Sequence, residues 1–99
     1  MISQELQGKW EAVISTGEQV TLTLGTGSYQ VRRGPATGAG SVVVDGNVIT
    51  FRSTRCELGA GSYEWTIEGD ELVFVPMEPR DPCGQRIIFL EDALYTRAE

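Results

Sequence analysis

The sequence predicts an all-β domain, an eight-stranded antiparallel up-and-down barrel that spans residues 1–99. Three observations predict it. Short stretches of alternating apolar residues end at glycine-containing turns, which is typical of strands joined by hairpins. No stretch keeps the 3.6-residue period of an amphipathic helix. Closure into a barrel would also remove exposed sheet edges and bury one face of every strand.

The predicted strands are short and regularly spaced. One helical turn at Ser3–Glu5 is expected before the first strand. In an eight-stranded barrel, the last strand contains a bulge near Glu91–Asp92; if that pair is a hairpin turn instead, there are nine strands. The eight strands are placed at residues 9–15, 19–25, 28–33, 40–45, 48–53, 61–67, 71–76 and 85–97.

Four hairpins allow the register to be predicted. Tight turns at Thr26-Gly27, Gly46-Asn47 and Gly69-Asp70 place large apolar residues opposite one another on one face. A shift of the register by one residue would turn the apolar side chains of a strand towards solvent. The fact that all three turns place them on one face therefore supports the strand assignment. The predicted pairs include Leu22 with Val31, Val42 with Phe51, and Trp65 with Phe74. The first hairpin has a three-residue loop, Thr16-Gly17-Glu18, which pairs Ile14 with Val20, Ala12 with Leu22, and Trp10 with Leu24.

The two ends of this barrel differ in loop length. The three tight turns share one end, which we expect to be closed. The connections near 34–39, 54–60 and 77–84 share the other end with the 16–18 loop, and we expect this end to be an open mouth. Functional groups usually lie on the longer loops of a rigid scaffold. The segment Gly34–Gly40 is rich enough in glycine to act as a lid or a contact loop.

The mouth collects two cysteines and several arginines. Cys56 and Cys83 both fall in mouth loops, so a disulfide is geometrically feasible, and two separate inert thiols are the alternative. A reactive thiol is disfavoured because the chain has no histidine to act as its base. Arg33 points inward by its pairing with Val20, so its guanidinium needs an internal acceptor or the acidic or carbonyl group of a ligand.

Composition excludes several functions. The net charge is −6 and the chain has a single lysine, so we expect no nucleic-acid partner. The absence of histidine and of a ligand cluster predicts neither a metal nor a cofactor. No window is apolar enough to span a bilayer. The start MISQELQG is not a signal peptide, so we expect a cytoplasmic protein if Met1 is native and an extracytoplasmic one if a leader was removed.

Several short motifs resemble one superfamily. They are Gly8-Lys9-Trp10 in the first strand, Leu94-Tyr95-Thr96-Arg97 in the last, and, between them, Cys56, Gly61-Ser62-Tyr63-Glu64-Trp65, Asp81-Pro82-Cys83 and Arg86. Their order resembles that of the calycins, which include lipocalins and fatty-acid-binding proteins, and in particular a bacterial lipocalin-like branch. The resemblance implies a structural brace in which Arg97 stacks on Trp10, and this selects eight strands. The chain is shorter than lipocalins, so we expect a smaller cavity.

The main function that we expect is the binding of a small lipophilic molecule inside the barrel. We expect the protein to be a monomer or a weak dimer. Arg33 and the Tyr63 hydroxyl would orient an acidic or carbonyl group of the ligand. The alternative is that the inward side chains fill the interior completely, because eight strands enclose little space. The candidate ligand-binding residues are Tyr29, Val31, Arg33, Phe51, Tyr63, Trp65, Phe74 and Arg86.

Two other functions stay open. One is a cofactor-free cyclase or isomerase of natural-product biosynthesis, because a barrel can hold a reactive substrate in the conformation in which it reacts. The hydrogen-bond donors of this enzyme would be Arg33, Tyr29, Tyr63 and Arg86. No catalytic residue is identified for it. A protein-binding or inhibitory barrel that uses the rim loops is the other.

Overall fold

The fold is an eight-stranded antiparallel sheet closed on itself, with one short helix before the last strand. The computed structural model describes residues 5–14, 16–53, 59–78, 81–91 and 93–98. Neighbouring strands pair in chain order and the last strand pairs with the first, which confirms the predicted fold class. The elements are β1 (Gly8–Val13), β2 (Gln19–Leu24), β3 (Ser28–Arg33), β4 (Ala36–Asp45), β5 (Val48–Ser53), β6 (Gly61–Glu68), β7 (Glu71–Pro76), α1 (Gly84–Leu90) and β8 (Leu94–Arg97).

Three of the four predicted registers are confirmed. Leu22 pairs with Val31, Val42 with Phe51, and Trp65 with Phe74. The first hairpin is displaced by two residues, so that Ala12 pairs with Val20 and Trp10 with Leu22. Its connection is longer than predicted because β1 ends at Val13, and Gly17 there has a positive φ of 89°. A shift of two residues keeps every side chain on its predicted face.

The predicted lid at Gly34–Gly40 is wrong, because these residues form a hairpin. Arg33 pairs with Ala36 across the two-residue turn Gly34-Pro35, and β4 therefore begins four residues before the predicted start. Gly34 has φ 59°, the left-handed value that suits the first central residue of a tight hairpin. The glycines and alanines that suggested a flexible loop are instead strand residues opposite β3.

The predicted strand 85–97 is also wrong in its first half, where the chain forms α1. Buried side chains recur at Arg86, Phe89, Leu90 and Ala93, which is the i, i+3, i+4, i+7 spacing of a helix face. The adjacent β-branched pair Ile87-Ile88 resembles a strand and conceals this short period. The predicted bulge partner Asp92 lies outside the described residues. The predicted number of strands, eight, is confirmed.

An aromatic cluster fills the middle of the barrel. Five rings meet edge to face, with centroids 5.2 to 6.4 Å apart in the closest pairs. This geometry directs the positive edge of one ring towards the negative face of the next. The rings of the cluster belong to Tyr29, Phe51, Tyr63, Phe74 and Tyr95.

No helix among the described residues is long and apolar enough to cross a membrane.

Trp10 and Arg97 seal the end of the barrel that carries the tight turns. Trp10 is fully buried, and its indole N–H donates to the Leu6 carbonyl at 3.0 Å. The Arg97 guanidinium lies 4.0 Å from the centre of the indole ring. The same guanidinium donates to the carbonyls of Gln7 and Glu5, both at 2.7 Å. One side chain therefore joins β1, β8 and the segment that leads into the barrel. Of the predicted helical turn, Ser3 and Gln4 lie outside the described residues.

We predict that Arg97→Ala lowers the free energy of unfolding by about 2 kcal/mol, through loss of the stacking and of the two hydrogen bonds. Arg97→Lys should recover less than half of this, because an ammonium lacks the planar fork that stacks and donates together. Urea denaturation of both variants measures the effect. Arg52→Ala, an exposed strand arginine, is the control and should stay within about 0.5 kcal/mol of the parent. Equal stability of Arg97→Ala and Arg52→Ala would contradict the prediction.

Candidate functional site at the barrel mouth

The mouth is the end of the barrel opposite Trp10, where β1 joins β2, β3 joins β4, and β7 leads into α1. The helix contributes Phe89 and Leu90 to the buried core, and the Tyr95 hydroxyl donates to the Phe89 carbonyl at 2.6 Å. Among the described residues, β8 pairs with Glu71–Val73 of β7 and leaves the rest of that strand unpaired on this side. The helix α1 also contacts β7. The mouth is therefore built differently on its two sides.

A buried ion pair holds the helix side of the mouth. The side chains of Asp81 and Arg86 are 0% and 1% exposed, and Arg86 Nη2 lies 2.7 Å from Asp81 Oδ1. Arg86 Nε lies 3.0 Å from Asp81 Oδ2, so the contact is bidentate. The Tyr63 hydroxyl donates to Oδ2 at 2.7 Å, and the Cys83 backbone N–H donates to Oδ1 at 2.9 Å. Arg86 also donates to the Gly59 carbonyl.

Gly61 makes room for this carboxylate. A Cβ built on Gly61 would collide with the Asp81 carboxyl group, so no other residue fits at the start of β6 without displacing it. Asp81 is thereby placed directly against β6, two residues from its partner Tyr63. The network ties β6, the segment before α1, and α1 itself into one unit. We call Tyr63, Asp81 and Arg86 the mouth network.

The mouth network shifts the acidities of its members. Burial alone would raise the pKa of Asp81, but the hydrogen bonds from Arg86, Tyr63 and the Cys83 N–H, together with the Arg86 charge, hold it below its ordinary value. Burial, followed by the hydrogen bond to Asp81, raises the pKa of Tyr63 well above its usual range. Asp81 is therefore a stable carboxylate and Tyr63 a stable phenol at neutral pH, and neither is poised for proton transfer.

The candidate ligand-binding residues fall into four groups. Tyr63 and Arg86 belong to the mouth network. Tyr29, Phe51 and Phe74 are buried in the aromatic cluster. Trp65 faces the core but lies at the sealed end, because its indole N–H donates to the Gly46 carbonyl in the β4–β5 turn at 3.2 Å. Only the last group, Val31 and Arg33, is inward-facing, half-buried and close to the mouth.

Within the described ranges, Arg33 has one ionic partner, Glu18, and that partner is exposed. Its Nε lies 3.4 Å from Glu18 Oε1, with side-chain exposures of 31% for Arg33 and 45% for Glu18. Glu18 also accepts a hydrogen bond from the Thr16 hydroxyl at 3.0 Å. An ion pair this exposed contributes at most about 1 kcal/mol. The Arg33 guanidinium is therefore available to exchange Glu18 for another anion at low cost.

Small residues on β4 shape the wall beside Arg33. A Cβ built on Gly40 would lie 2.7 Å from Tyr29 Cε1, and one on Gly38 would lie 3.1 Å from Val31 Cγ1. Val31 therefore lies against the backbone of Gly38, whereas the Tyr29 ring extends over Gly40 into the aromatic cluster.

The expected disulfide has no support. Cys83 is buried at 5% exposure, no disulfide is found among the described residues, and Cys56 lies outside them. The pairing of Cys56 with Cys83 stays a prediction. Within the described part of the chain, no group of three or more potential metal ligands converges.

Comparison with known proteins adds no further constraint. No protein-family model, curated protein or solved structure matches this chain. The functional argument therefore rests on the geometry of the barrel itself.

Sequence reasoning missed the importance of Asp81, which it counted only as one element of the Asp81-Pro82-Cys83 motif and as a rim acid. The available signal was Gly61 two residues before Tyr63, an arrangement that leaves a side-chain-sized space beside a buried hydroxyl. The role of Gly61 can be recognised only when the fold is known, because the fold is what places Asp81 next to β6. The assignment of Arg86 to a strand also concealed its inward direction.

We predict that Asp81→Asn destabilises the protein by about 3–5 kcal/mol, because it leaves the buried Arg86 guanidinium without a compensating charge. Tyr63→Phe removes one hydrogen bond and should cost about 1–2 kcal/mol. Equilibrium urea unfolding monitored by tryptophan fluorescence measures both. If Asp81→Asn does not fold, Tyr63→Phe still tests the network. A Tyr63→Phe variant as stable as the parent would count against a functioning network.

We also predict a pH dependence that originates at Asp81. Because its pKa is lower in the folded than in the unfolded protein, Asp81 stabilises the fold fully above about pH 4, and this contribution disappears as the pH falls towards the folded pKa. Tyr63→Phe should raise the pKa of Asp81 in the folded protein and reduce the slope of the unfolding free energy against pH below about pH 4. Ile49→Val, a core variant with no titrating group, is the control and should keep the parent slope. Identical slopes in all three proteins would be inconsistent with this origin.

Proposed function

We propose that the protein binds a small lipophilic molecule with an acidic or carbonyl group, in the mouth-side interior beside β3 and β4. The supporting observation is the half-burial of Val31 and Arg33, which face inward. Their partners in register, Leu22 and Val20, are fully buried. In a closed barrel, an inward side chain stays partly exposed where the space beside it is not filled by other side chains.

The aromatic cluster limits the size of the ligand. Phe51, Phe74 and Tyr63 are at most 2% exposed and occupy the centre of the barrel. An eight-stranded barrel has room for its own side chains or for one small ligand. We therefore propose a ligand of about one ring with a short polar substituent, and not a long acyl chain.

Arg33 supplies the polar recognition. Its guanidinium carries a full positive charge in a partly desolvated position, where a bidentate hydrogen bond to a carboxylate is favourable. The ligand would replace Glu18 as the ionic partner of Arg33, a replacement that the exposure of this pair makes inexpensive. Val31 and the small residues of β4 would contact the apolar part.

A relationship to calycins is part of this proposal. The closed eight-stranded barrel with Arg97 over Trp10 is compatible with a calycin-like fold, and ligand binding inside the barrel is the expectation that such a fold brings. The cyclase hypothesis gains no specific observation, because Tyr63 and Arg86 are engaged with Asp81. The protein-binding hypothesis loses its flexible contact loop to the β3–β4 hairpin.

Titration with cinnamate and with its neutral amide, cinnamamide, tests the proposal. We expect saturable binding of cinnamate, about tenfold tighter than that of the amide, because a charge-assisted hydrogen bond contributes about 1.5 kcal/mol or more. Arg33→Gln should abolish the preference for the acid, and Glu18→Gln should strengthen cinnamate binding by removing its competitor. Isothermal titration calorimetry provides the affinities.

Two controls make this test specific. Arg52→Gln removes an exposed arginine from β5 and should leave cinnamate binding unchanged. Val31→Phe fills the proposed space and should weaken the acid and the amide equally. Equal affinity of the parent protein for acid and amide, or a preference that survives Arg33→Gln, would overturn the proposal.

A further inference from the structure

The outer face of β1–β4 carries an open groove of about 610 Å³. Val31 and Gly38, whose positions face inward, form the part of the wall that the groove shares with the barrel interior. The other eight lining residues point away from the barrel interior. The pairing of the strands arranges them in two cross-strand rows. One row runs through Lys9, Thr23, Gln30 and Ala39, and the other through Glu11, Thr21, Arg32 and Thr37.

The groove is lined by polar side chains whose functional groups find no partner in the part of the chain that the structure describes. Among the described residues, no side-chain hydrogen bond or ion pair involves the threonine hydroxyls, the Gln30 carboxamide, the Lys9 ammonium or the Arg32 guanidinium. Thr21 and Thr23 are half-buried and form its base, while Lys9 and Arg32 are exposed. These side chains therefore keep their hydrogen-bond donors for a ligand in the groove.

The charge of the groove is opposite to that of the protein. The chain has a net charge of −6, yet its one lysine and Arg32 both lie here against a single acid, Glu11. Lys9 and Arg32 sit two strands apart and one row apart, so their backbones are about 12 Å from each other. Thr21 and Thr23 lie between them. Two long basic side chains can therefore reach an anion held above the threonines.

The lining also restricts the class of ligand. It contains no aromatic side chain, and its nonpolar residues are only Val31, Gly38 and Ala39. This composition disfavours stacking of bases and burial of lipophilic rings. The volume falls within the range of small-molecule sites. Hydroxyl and carboxamide groups suit a ligand with several hydroxyls, and the two cations suit an anionic substituent.

We propose that this groove binds a small polyhydroxylated anion, such as a sugar acid or a sugar phosphate. The anionic group would contact Arg32 and Lys9, and the ligand hydroxyls would bond Thr21, Thr23 and Gln30. These residues would recognise a carboxylate and a phosphate by the same charge and hydrogen bonds. The experiment therefore compares a sugar acid with a sugar phosphate. This proposal is independent of ligand binding inside the barrel.

The experiment is a titration followed by amide and side-chain chemical shifts in ¹⁵N-labelled protein, with glucuronate, glucose 6-phosphate, glucose and inorganic phosphate as the four test ligands. We expect saturable shifts confined to β1–β4 with glucuronate or glucose 6-phosphate, and the tighter of the two identifies the anionic group. Glucose and inorganic phosphate should each bind at least about tenfold more weakly, since each lacks half of the recognised chemistry.

Variants then locate the site. Arg32→Ala should weaken binding of the preferred ligand at least about tenfold, and Thr21→Val, which keeps the side-chain shape, should weaken it several-fold. Arg52→Ala, an exposed arginine outside the groove, should leave the affinity unchanged. All three positions are outward-facing, and far-UV circular dichroism verifies that the variants fold. The proposal is overturned by glucose or inorganic phosphate binding as tightly as the preferred anion, by non-saturating shifts, or by equal losses in Arg32→Ala and Arg52→Ala.

Discussion

A carboxylate without solvent contact is the constraint on which the mouth of this barrel depends. An ionised side chain is costly to bury unless charge and hydrogen bonds compensate it. Asp81 receives both from Arg86, Tyr63 and the Cys83 N–H, and these partners come from three different parts of the chain. Satisfying one buried charge therefore fixes α1 against β6, and the helix can complete the wall on the side where β8 is short.

The two ends of the barrel are thus held by different arginines. Arg97 stacks on Trp10 and bonds the lead-in segment at the sealed end, whereas Arg86 neutralises Asp81 at the mouth. Arg33 differs from both because it is half-exposed and only loosely paired with Glu18. Of these three arginines, the first two are committed to structure, and Arg33 is the one to which the proposed function assigns ligand recognition.

The sequence was sufficient to predict the strands in which apolar and polar residues alternate and which are joined by tight turns. The registers through Gly46-Asn47 and Gly69-Asp70 follow from local rules alone. Residues 84–90 form too few turns for a helical period to stand out, and Ile87-Ile88 favours a strand locally, so tertiary packing of Phe89 and Leu90 decides their structure. The role of Asp81 could not be predicted, because it depends on a contact with Gly61 that only the closed fold creates. The outer groove was missed since its rows join residues from four separate strands.

Direct titration of the Asp81 carboxyl group by ¹³C NMR tests the central claim most directly. If burial is compensated as described, the Asp81 side-chain carbon resonance titrates below the range of ordinary aspartates and stays constant down to about pH 4. A resonance that titrates at or above the ordinary aspartate value would contradict the account, since it would mean that Arg86 and Tyr63 do not stabilise the charge.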